Sequence, residues 1–316
     1  MATPTNAFST YETIGIREDL ADVIYNIDPF ETPVLTALGQ GSVSNTFYEW
    51  QTDDLAAPAA NAVIEGEDAT IQATDPTVRL GNYTQISTKT VQTTGTNEAV
   101  LAAGRGSEMA YSMAKKGKEL KTDLEFVLTG DHQARNAGST SVARKTGNFS
   151  SYLKTNVHIG ATGTLPTGDG TDVGTDGTAE VFTETLLKTQ LENAWQEGGK
   201  PDTLFVPGDI KQLISQTFVG RATNVDSNSS DKSSFGVVDM YITDFGAIKV
   251  VPSRIIKSDQ CLLLDTGMAS VDYLRSFQSW DLAKTGDSEK KQIIVEYGLR
   301  VNNEKAHAQF RSVTAS

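Results

Sequence analysis

Apolar residues recur at steps of three and four between residue 97 and about residue 134, the spacing of one face of an amphipathic helix. The stripe consists of Met109, Met113, Leu120, Leu124 and Val127, with Gly117 in the intermediate turn. The opposite face, expected to meet solvent, carries Lys115, Lys118, Lys121 and Glu125. The pattern predicts one long helix whose methionines pack in a core, because methionine fills irregular gaps between packed elements.

A compact α/β unit is predicted from residue 179 onward, where helical and strand-like patterns alternate. One helix covers residues 183–196, and a second, capped by Asp209, follows a strand at 203–206. Further strands are predicted at 237–242, 247–251 and 261–264, with a tight turn at 243–246. The side chains expected to face the core of this unit are Leu187, Leu191, Ala194, Trp195, Ile210, Leu213, Ile214 and Phe218.

Strict alternation of apolar with charged or small residues near the C-terminus predicts one long, half-buried strand. Its apolar positions are Ile293, Val295, Tyr297, Leu299 and Val301. Helices and strands are mixed along the chain without a regular repeat, so the predicted fold class is α+β.

Residues 43–96 are rich in Thr, Ala, Asn and Val and predict a long two-stranded flap. Strand-like segments at 46–51 and 80–94 flank a softer middle at 55–76. An isolated hairpin has too little apolar surface to be stable in water. We therefore expect the tip of the flap to rest on another molecule.

Two further segments are punctuated by turn residues. Residues 1–41 combine an acidic amphipathic stretch at 17–25 with two Xaa-Pro turn signals, and predict an extended arm with a short helix. Residues 160–178 are Gly-, Thr- and Asp-rich and predict a surface loop. Three carboxylates in this loop raise the alternative of calcium binding, but their spacing fits no EF-hand, which favours a plain loop. They are Asp169, Asp172 and Asp176.

The 316 residues carry 40 acidic and 27 basic side chains, a formal charge of −13. This balance argues against sequence-independent wrapping of nucleic acid by the whole chain. The charges are uneven: residues 1–60 hold nine acidic residues against Arg17, whereas residues 101–154 hold nine basic and five acidic ones. Two interpretations of this uneven distribution are open: ordinary solvated faces, or electrostatic matching between segments or subunits. A single cysteine and the lack of a signal-like N-terminus favour a reducing compartment, and no long apolar run predicts a membrane span.

No set of residues predicts an active site. The chain lacks a phosphate loop, a nucleophile elbow, a zinc-protease motif and a dinucleotide fingerprint. His132, His158 and His307 are scattered, and Cys261 begins an apolar strand, where cysteine acts as a small hydrophobe. Carboxylate pairs in the flap lack a rigid support. We expect no enzyme activity, no cofactor and no bound metal.

Ten segments of the chain carry a resemblance to a known family. They are 15–27 (GIREDLADVIYNI), 32–33 (TP), 46–55 (TFYEWQTDDL), 82–86 (NYTQI), 107–111 (SEMAY), 115–125 (KKGKELKTDLE), 244–246 (DFG), 282–290 (LAKTGDSEK), 295–297 (VEY) and 303–306 (NEKA). In order and spacing these segments are similar to the major capsid proteins of tailed bacteriophages. The resemblance covers nearly the whole chain, although the loop at 160–178 and residues 221–234 have no part in it.

The resemblance implies the Hong Kong 97-like capsid fold. It assigns 1–42 to the N-terminal arm, 43–96 to the extended E-loop, 97–178 to the P-domain spine helix and following loop, 179–265 to the A-domain, and 266–316 to a strand returning to the P-domain and the C-terminus. The implied function is self-assembly as pentamers and hexamers into the icosahedral head shell enclosing a double-stranded DNA genome. The implied partners are other copies of the chain, a separate scaffolding protein, a portal and in some shells a decoration protein, with no sequence-specific DNA binding and no membrane.

In such a shell, flap and arm bury apolar side chains on neighbouring copies. The expected interface residues are Ile14, Ile16, Tyr48 and Trp50, together with Lys115, Lys118 and Lys121 if the acidic arm lies against the basic zone of the long helix. Some members of the fold join subunits through lysine–asparagine bonds, but Lys89 is the sole lysine between residues 43 and 96 and sits near the flap base. We therefore expect a non-covalent shell. The chain begins almost directly at the arm, which leads us to expect scaffolding from a separate protein.

Two alternatives remain open on the sequence. An intracellular enzyme could use the flap as a lid over the α/β unit, and another phage structural subunit, such as a tail tube protein, could share the same arms and flaps. Helical tubes in place of closed shells would distinguish the latter.

Overall fold

The computed structural model describes residues 31–218 and 239–315, apart from positions 70, 72, 75, 101, 103 and 105. The predictions for the arm up to residue 30 and for the loop at 221–234 therefore lie outside the described residues. The helices are α1 (Pro33–Ala37), α2 (Gly95–Ala99), α3 (Glu108–Thr129), α4 (Phe149–Tyr152), α5 (Glu184–Gln196) and α6 (Gly208–Thr217). The strands are β1 (Gly39–Ser42), β2 (Phe47–Thr52), β3 (Val78–Tyr83), β4 (Gln85–Thr94), β5 (Val157–His158), β6 (Glu180–Val181), β7 (Thr203–Val206), β8 (Met240–Thr243), β9 (Gly246–Pro252), β10 (Cys261–Leu264), β11 (Ala269–Asp281), β12 (Ser288–Val301), β13 (Ala308–Phe310) and β14 (Val313–Thr314).

A four-stranded sheet in the order β1-β11-β12-β4 carries the larger core. Strands β11 and β12 form an antiparallel hairpin, and β12 pairs antiparallel with the whole length of β4, from Ser288 opposite Thr94 to Tyr297 opposite Gln85. The predicted C-terminal strand is confirmed as β12, and its apolar positions from Ile293 to Val301 are buried. They form one cluster with Leu120, Leu124 and Leu128 of α3. The long helix is thus fixed to the sheet by its leucine face.

Helix α3 is shorter than the predicted 97–134 and is separated from α2. The Ser107 side chain accepts a hydrogen bond from the Ala110 N–H at 3.2 Å, and Glu98 accepts one from the Ser107 hydroxyl at 2.6 Å. Glu98 also accepts the Met109 N–H at 3.1 Å. The side chains of Glu98 and Ser107 thus accept hydrogen bonds from backbone N–H groups in the first turn of α3, which in a continuous helix would bond to carbonyls of the preceding turn. The helix therefore begins at Glu108.

A six-stranded sheet in the order β5-β13-β10-β7-β9-β8 forms the α/β unit. Its strands β7 and β10 are buried at every position, as their continuous apolar sequences require. One face of β10, with Leu262 and Leu264, belongs to the larger core, whereas Cys261 and Leu263 pack with α5 and α6 in a second cluster. The central strands of this sheet therefore join the two cores.

Three details of this unit differ from the prediction. Trp195 is 54% exposed and packs at a tilt against Phe245, with ring centroids 5.2 Å apart, so it does not face the core. The residue preceding α6 is Pro207, and Asp209 lies inside the helix. The last strands, β13 and β14, belong to the second unit, with Ala308, Phe310 and Val313 in its core. Strand β13 pairs antiparallel with β10, and β14 pairs parallel with β6.

The loop at 160–178 is confirmed as largely irregular, and its carboxylates are bonded within the protein. Asp169 accepts hydrogen bonds from Thr167 and Thr171, and Asp176 forms ion pairs with Lys257 and Arg311, each at 2.7 Å. The two ion pairs of Asp176 hold the loop against Lys257, between β9 and β10, and against Arg311, between β13 and β14.

Candidate assembly surface

The base of the flap is seated on its own chain by two aromatic residues. The Tyr48 hydroxyl donates a hydrogen bond to the Leu299 carbonyl at 2.7 Å, and burial raises the pKa of this phenol well above its usual value. The Trp50 ring lies 5.7 Å from the Tyr152 ring, measured between centroids, and packs on the larger core. Both residues, predicted to contact a neighbouring copy, thus have partners in their own subunit; their interface role stays a prediction.

The buried side-chain amide of Asn82 also holds the flap base on the body of the subunit. The Asn82 side-chain amide donates to the Leu299 carbonyl at 2.7 Å and to the Thr146 hydroxyl at 2.9 Å. Gly298 allows the close approach, since a Cβ at this position would overlap the Tyr48 hydroxyl. The flap therefore leaves the body at a defined angle, set by bonds between residues far apart in the sequence.

Beyond the base, the flap has no core of its own. Strands β2 and β3 pair from Phe47 opposite Tyr83 to Thr52 opposite Val78, which confirms the predicted hairpin base. Every described residue between positions 53 and 79 is exposed. The most exposed large aliphatic side chains among them are Leu55 at 99%, Val63 at 76%, Ile64 at 79% and Ile71 at 96%. Such a group of large aliphatic side chains marks an interaction surface.

The three predicted lysines lie on α3 and are exposed. The Lys121 ammonium lies 5.9 Å from the centroid of the Phe277 ring. Ile14 and Ile16 lie outside the described residues. Tyr48 and Trp50 lie side by side, with ring centroids 6.0 Å apart.

Glu125 was predicted on the solvent face of the long helix, and this is wrong. Its side chain is fully buried, and its two carboxylate oxygens accept hydrogen bonds from the Leu35 N–H and the Ser253 hydroxyl, each at 3.2 Å. Among the described residues, no cationic side chain pairs with it. Burial raises its pKa to about 7, although the bonds from Leu35 and Ser253 oppose this rise. Helix α1, which covers this position, ties the root of the arm to α3.

Replacing Glu125 by Gln should remove a pH dependence of folding stability. Between the ordinary carboxyl pKa of 4.5 and the folded value of about 7, the folded chain binds more protons than the unfolded chain, so its stability falls as pH rises. At pH 8 we expect Glu125→Gln to be more stable than the parent by about 3 kcal/mol, because one pKa unit corresponds to about 1.4 kcal/mol. At pH 4.5 the two should be equal.

Urea-unfolding midpoints of the unassembled chain at both pH values measure this difference. Glu119→Gln is the matched control on the same helix, because Glu119 is partly exposed and bonds Lys116. A stability difference between Glu125→Gln and the parent that is the same at pH 4.5 and pH 8 would contradict the assignment of a raised pKa to Glu125.

A second carboxylate inside the protein is Glu296, which is 3% exposed. It pairs with Arg144 through one oxygen and with Arg275 through the other, the latter at 2.8 Å. The first oxygen also accepts the Thr84 hydroxyl at 2.9 Å. Thr84 separates β3 from β4, which the sequence had predicted as one strand, so Glu296 joins the root of the flap to the central hairpin.

Cys261 and His307, two residues of types common in catalysis, are buried. Cys261 is fully buried, and burial raises the pKa of its thiol. His307 is buried, accepts the Asp265 N–H at 3.1 Å and has its pKa lowered to about 4 by burial. Across residues 31–218 and 239–315, no three His, Cys, Asp or Glu side chains are grouped to hold a metal ion. No helix in that part of the chain is long and apolar enough to cross a membrane.

Comparison with known proteins agrees with this arrangement. The family model of the SU10 major capsid protein matches residues 3–314. The chain is 29% identical to the major capsid protein of Escherichia phage Phieco32, over 96% of each protein. Among solved structures, it is similar to a chain of the cyanophage A-1(L) capsid, with a TM-score of 0.71, 13% identity and coverage of 97% of this chain and 98% of that one.

A capsid chain of a native GTA particle is also similar, with a TM-score of 0.64 at 10% identity and coverage of 97% and 98% of the two chains. At these identities the structural likenesses establish the fold, and the family match establishes the function. The chain therefore belongs to the SU10 major capsid protein family, has the Hong Kong 97-like fold, and is a component of the virion capsid of a tailed phage.

Proposed function

We propose that the chain assembles as pentamers and hexamers into the icosahedral head shell that encloses double-stranded DNA. The observation that carries this proposal is the flap, whose aliphatic side chains from Leu55 to Ile71 are almost fully exposed in the single subunit. A monomer gains nothing from holding them in water, whereas an overlapping neighbour supplies the surface that buries them. Each copy in a shell makes many contacts, so modest affinity per contact suffices.

The proposed subunit regions follow the expected division into arm, E-loop, P-domain and A-domain. The helix α3, packed on the four-stranded sheet, supports assignment as the spine of the P-domain. The second core around α5 and α6 supports a separate A-domain, which on the structure would also include β13 and β14. The boundary at residue 265 is therefore extended in our proposal by these two C-terminal strands.

Negative-stain microscopy of the expressed chain, with and without its neighbouring gene products, tests the function. Closed polyhedral shells or ring-like capsomers are expected. Helical tubes would instead favour a tail tube subunit. Dispersed monomers in the presence of scaffolding and portal proteins would overturn the proposal.

We expect the shell to be non-covalent. Lys89, on β4 near the flap base, forms an ion pair with Asp123 of α3 at 2.6 Å, which holds its amine on its own subunit. Boiling purified particles in denaturant should therefore return monomers on a denaturing gel. Ladders of cross-linked chains would contradict this expectation.

We also propose that assembly takes place in the host cytoplasm with a separate scaffolding protein and a portal, that a decoration protein is an optional further partner, and that the chain acts without catalysis. The charge of −13 suits a DNA container, because like charge limits adhesion to the genome during packaging. Uniform, correctly sized shells from the purified chain alone would refute the need for a scaffold.

A further inference from the structure

Glu125 lies where three parts of the chain meet: its own helix α3, the short helix α1, and the segment that follows β9. The two carboxylate oxygens divide the contacts between them. Oε2 accepts the Leu35 N–H of α1, and Oε1 accepts the hydroxyl of Ser253 after β9, each at 3.2 Å. One fully buried carboxyl thus bonds α3 both to α1 and to the α/β unit.

Helix α1 depends on this carboxyl for its polar attachment. Among the described residues, Glu125 is the one side chain of another element that bonds α1, because the remaining bonds of α1 run from Thr36 to Thr32 and from Leu38 to Val34. The apolar side chains of α1 are buried beside the leucine face of α3. Strand β1, which follows α1, is held separately by its parallel pairing with β11. Helix α1 can therefore leave α3 while the sheet keeps its pairing.

The hydrogen-bonding groups around Glu125 fit a protonated carboxyl. The Leu35 N–H is a donor only, so it needs an acceptor oxygen whether or not the carboxyl carries a proton. The Ser253 hydroxyl both donates and accepts, so it also takes a hydrogen bond from an Oε1–H group. In that arrangement both carboxyl oxygens stay bonded and no charge is buried. Burial without a cation disfavours the carboxylate, so the neutral acid is the stable form in the closed contact.

The charged side chains on the elements around Glu125 are directed elsewhere. Helix α1 contains no titratable residue, and Glu31 before it is exposed. Burial raises the pKa of Glu125, and only hydrogen bonds from Ser253 and the α1 backbone oppose this rise. The nearby basic residues of the described chain are Lys121, which is exposed with its ammonium 5.9 Å from the Phe277 ring centroid, Arg254, which is exposed, and Lys257, which pairs with Asp131, Asp176 and Asp259.

We propose that Glu125 is a proton-operated latch for α1: the closed contact holds a proton on Oε1, and the opening of α1 releases that proton to water. In the open state the carboxyl has its ordinary pKa of 4.5, whereas in the closed state the pKa is about 7. Between these values the closed state binds more protons, so each pH unit favours opening about tenfold. The contact is tightest in acid and reaches its weakest level above pH 7. This inference concerns the single subunit and does not depend on shell assembly.

Native-state hydrogen exchange of residues 31–38 in the unassembled chain tests the latch. Dividing the intrinsic exchange rate at each pH by the measured rate gives a protection factor, which reports the opening equilibrium. In the parent this factor should fall about tenfold per pH unit from pH 5 to pH 7 and then level off. Low concentrations of urea should leave it unchanged, because local opening exposes little surface, whereas exchange of β12 amides should accelerate. Equal urea dependence of the two segments would show that α1 leaves α3 only on global unfolding, and would overturn the proposal.

The variant Glu125→Gln has no proton to release, so its protection at residues 31–38 should stay constant from pH 5 to pH 7. Glu119→Gln, on the same helix, is the matched control and should follow the parent, because Glu119 is partly exposed and bonds Lys116. A flat pH profile in the parent, or a parent-like slope in Glu125→Gln, would overturn the proposal.

A ¹³C NMR titration of the glutamate carboxyls in the unmodified chain decides the question if Glu125→Gln does not fold. One carboxyl with a midpoint near pH 7 is expected. A complete set of glutamate midpoints at or below the ordinary value of 4.5 would overturn the latch.

Discussion

Replacing the four exposed aliphatic residues of the flap by Ser should abolish shell formation and leave the subunit folded. These residues are Leu55, Val63, Ile64 and Ile71, and none of them contributes to either core of the described chain. Burial of each on a neighbouring copy stabilises the contact by about 1.5–3 kcal/mol before ordering costs are subtracted. In a shell this loss recurs at every overlap, so the effect on assembly is far larger than the effect on one subunit.

The measurement is particle yield by sedimentation and negative-stain microscopy, with the urea-unfolding midpoint as the test of folding. The matched control changes four small residues of the same segment, Ala59, Ala60, Ala62 and Ala69, to Ser. This removes little apolar area and should leave assembly intact. A normal yield of shells from the aliphatic variant would show that the flap is not an assembly surface, even if the chain forms shells by other contacts.

Replacing Glu296 by Ala should lower the free energy of unfolding by about 2–3 kcal/mol, because it removes the charge-assisted hydrogen bonds of two arginines whose own side chains are 24% and 39% exposed. Arg144 comes from a loop and Arg275 from β11, and both form ion pairs with the same carboxylate, that of Glu296 on β12. The Thr84 hydroxyl at the flap root loses its acceptor as well. The variant should therefore loosen both the central hairpin and the seat of the flap.

The urea-unfolding midpoint of the unassembled chain measures this loss. Glu289→Ala on the same strand is the control, since Glu289 is exposed and a surface substitution changes stability by about 0.5 kcal/mol or less. An equal, small loss of stability in Glu296→Ala and Glu289→Ala would show that the ion pairs of Glu296 with Arg144 and Arg275 do not stabilise the fold.

The sequence alone was sufficient wherever a pattern is local. The strands at 203–206 (TLFV) and 261–264 (CLLL) have the predicted bounds, because a short, almost entirely apolar run between turn signals fits a strand buried on both faces. Helix α5 follows Thr183, whose side chain accepts the Leu186 N–H at 3.3 Å, and the tight turn at 243–246 joins β8 to β9. The family resemblance then supplied the capsid fold and function.

Local patterns failed where a remote partner decides the outcome. Strand β11 was not predicted, because its outer half is exposed and polar and its pairing comes from β12. The break at Thr84 and the start of α3 at Glu108 depend on side chains that bond backbone groups. Arg144 donates to the Thr84 carbonyl at 2.6 Å, and Glu98 and Ser107 accept hydrogen bonds from the backbone N–H groups at the start of α3. A propensity scale cannot register such bonds.

The tertiary structure alone decided which polar residues are buried. Glu125 bonds Leu35, Glu296 bonds Arg144, and Asn82 bonds Leu299, pairs that are far apart in the sequence. On the helix, Glu125 lies between the leucine face and the face that carries Lys118 and Lys121, so periodicity assigned it to solvent. Its burial follows from the position of α1, which the sequence pattern does not contain. The sequence by itself thus determined the capsid fold and those elements that have a local pattern, whereas the bonds that hold α1 and the flap base on the body form only when distant segments meet.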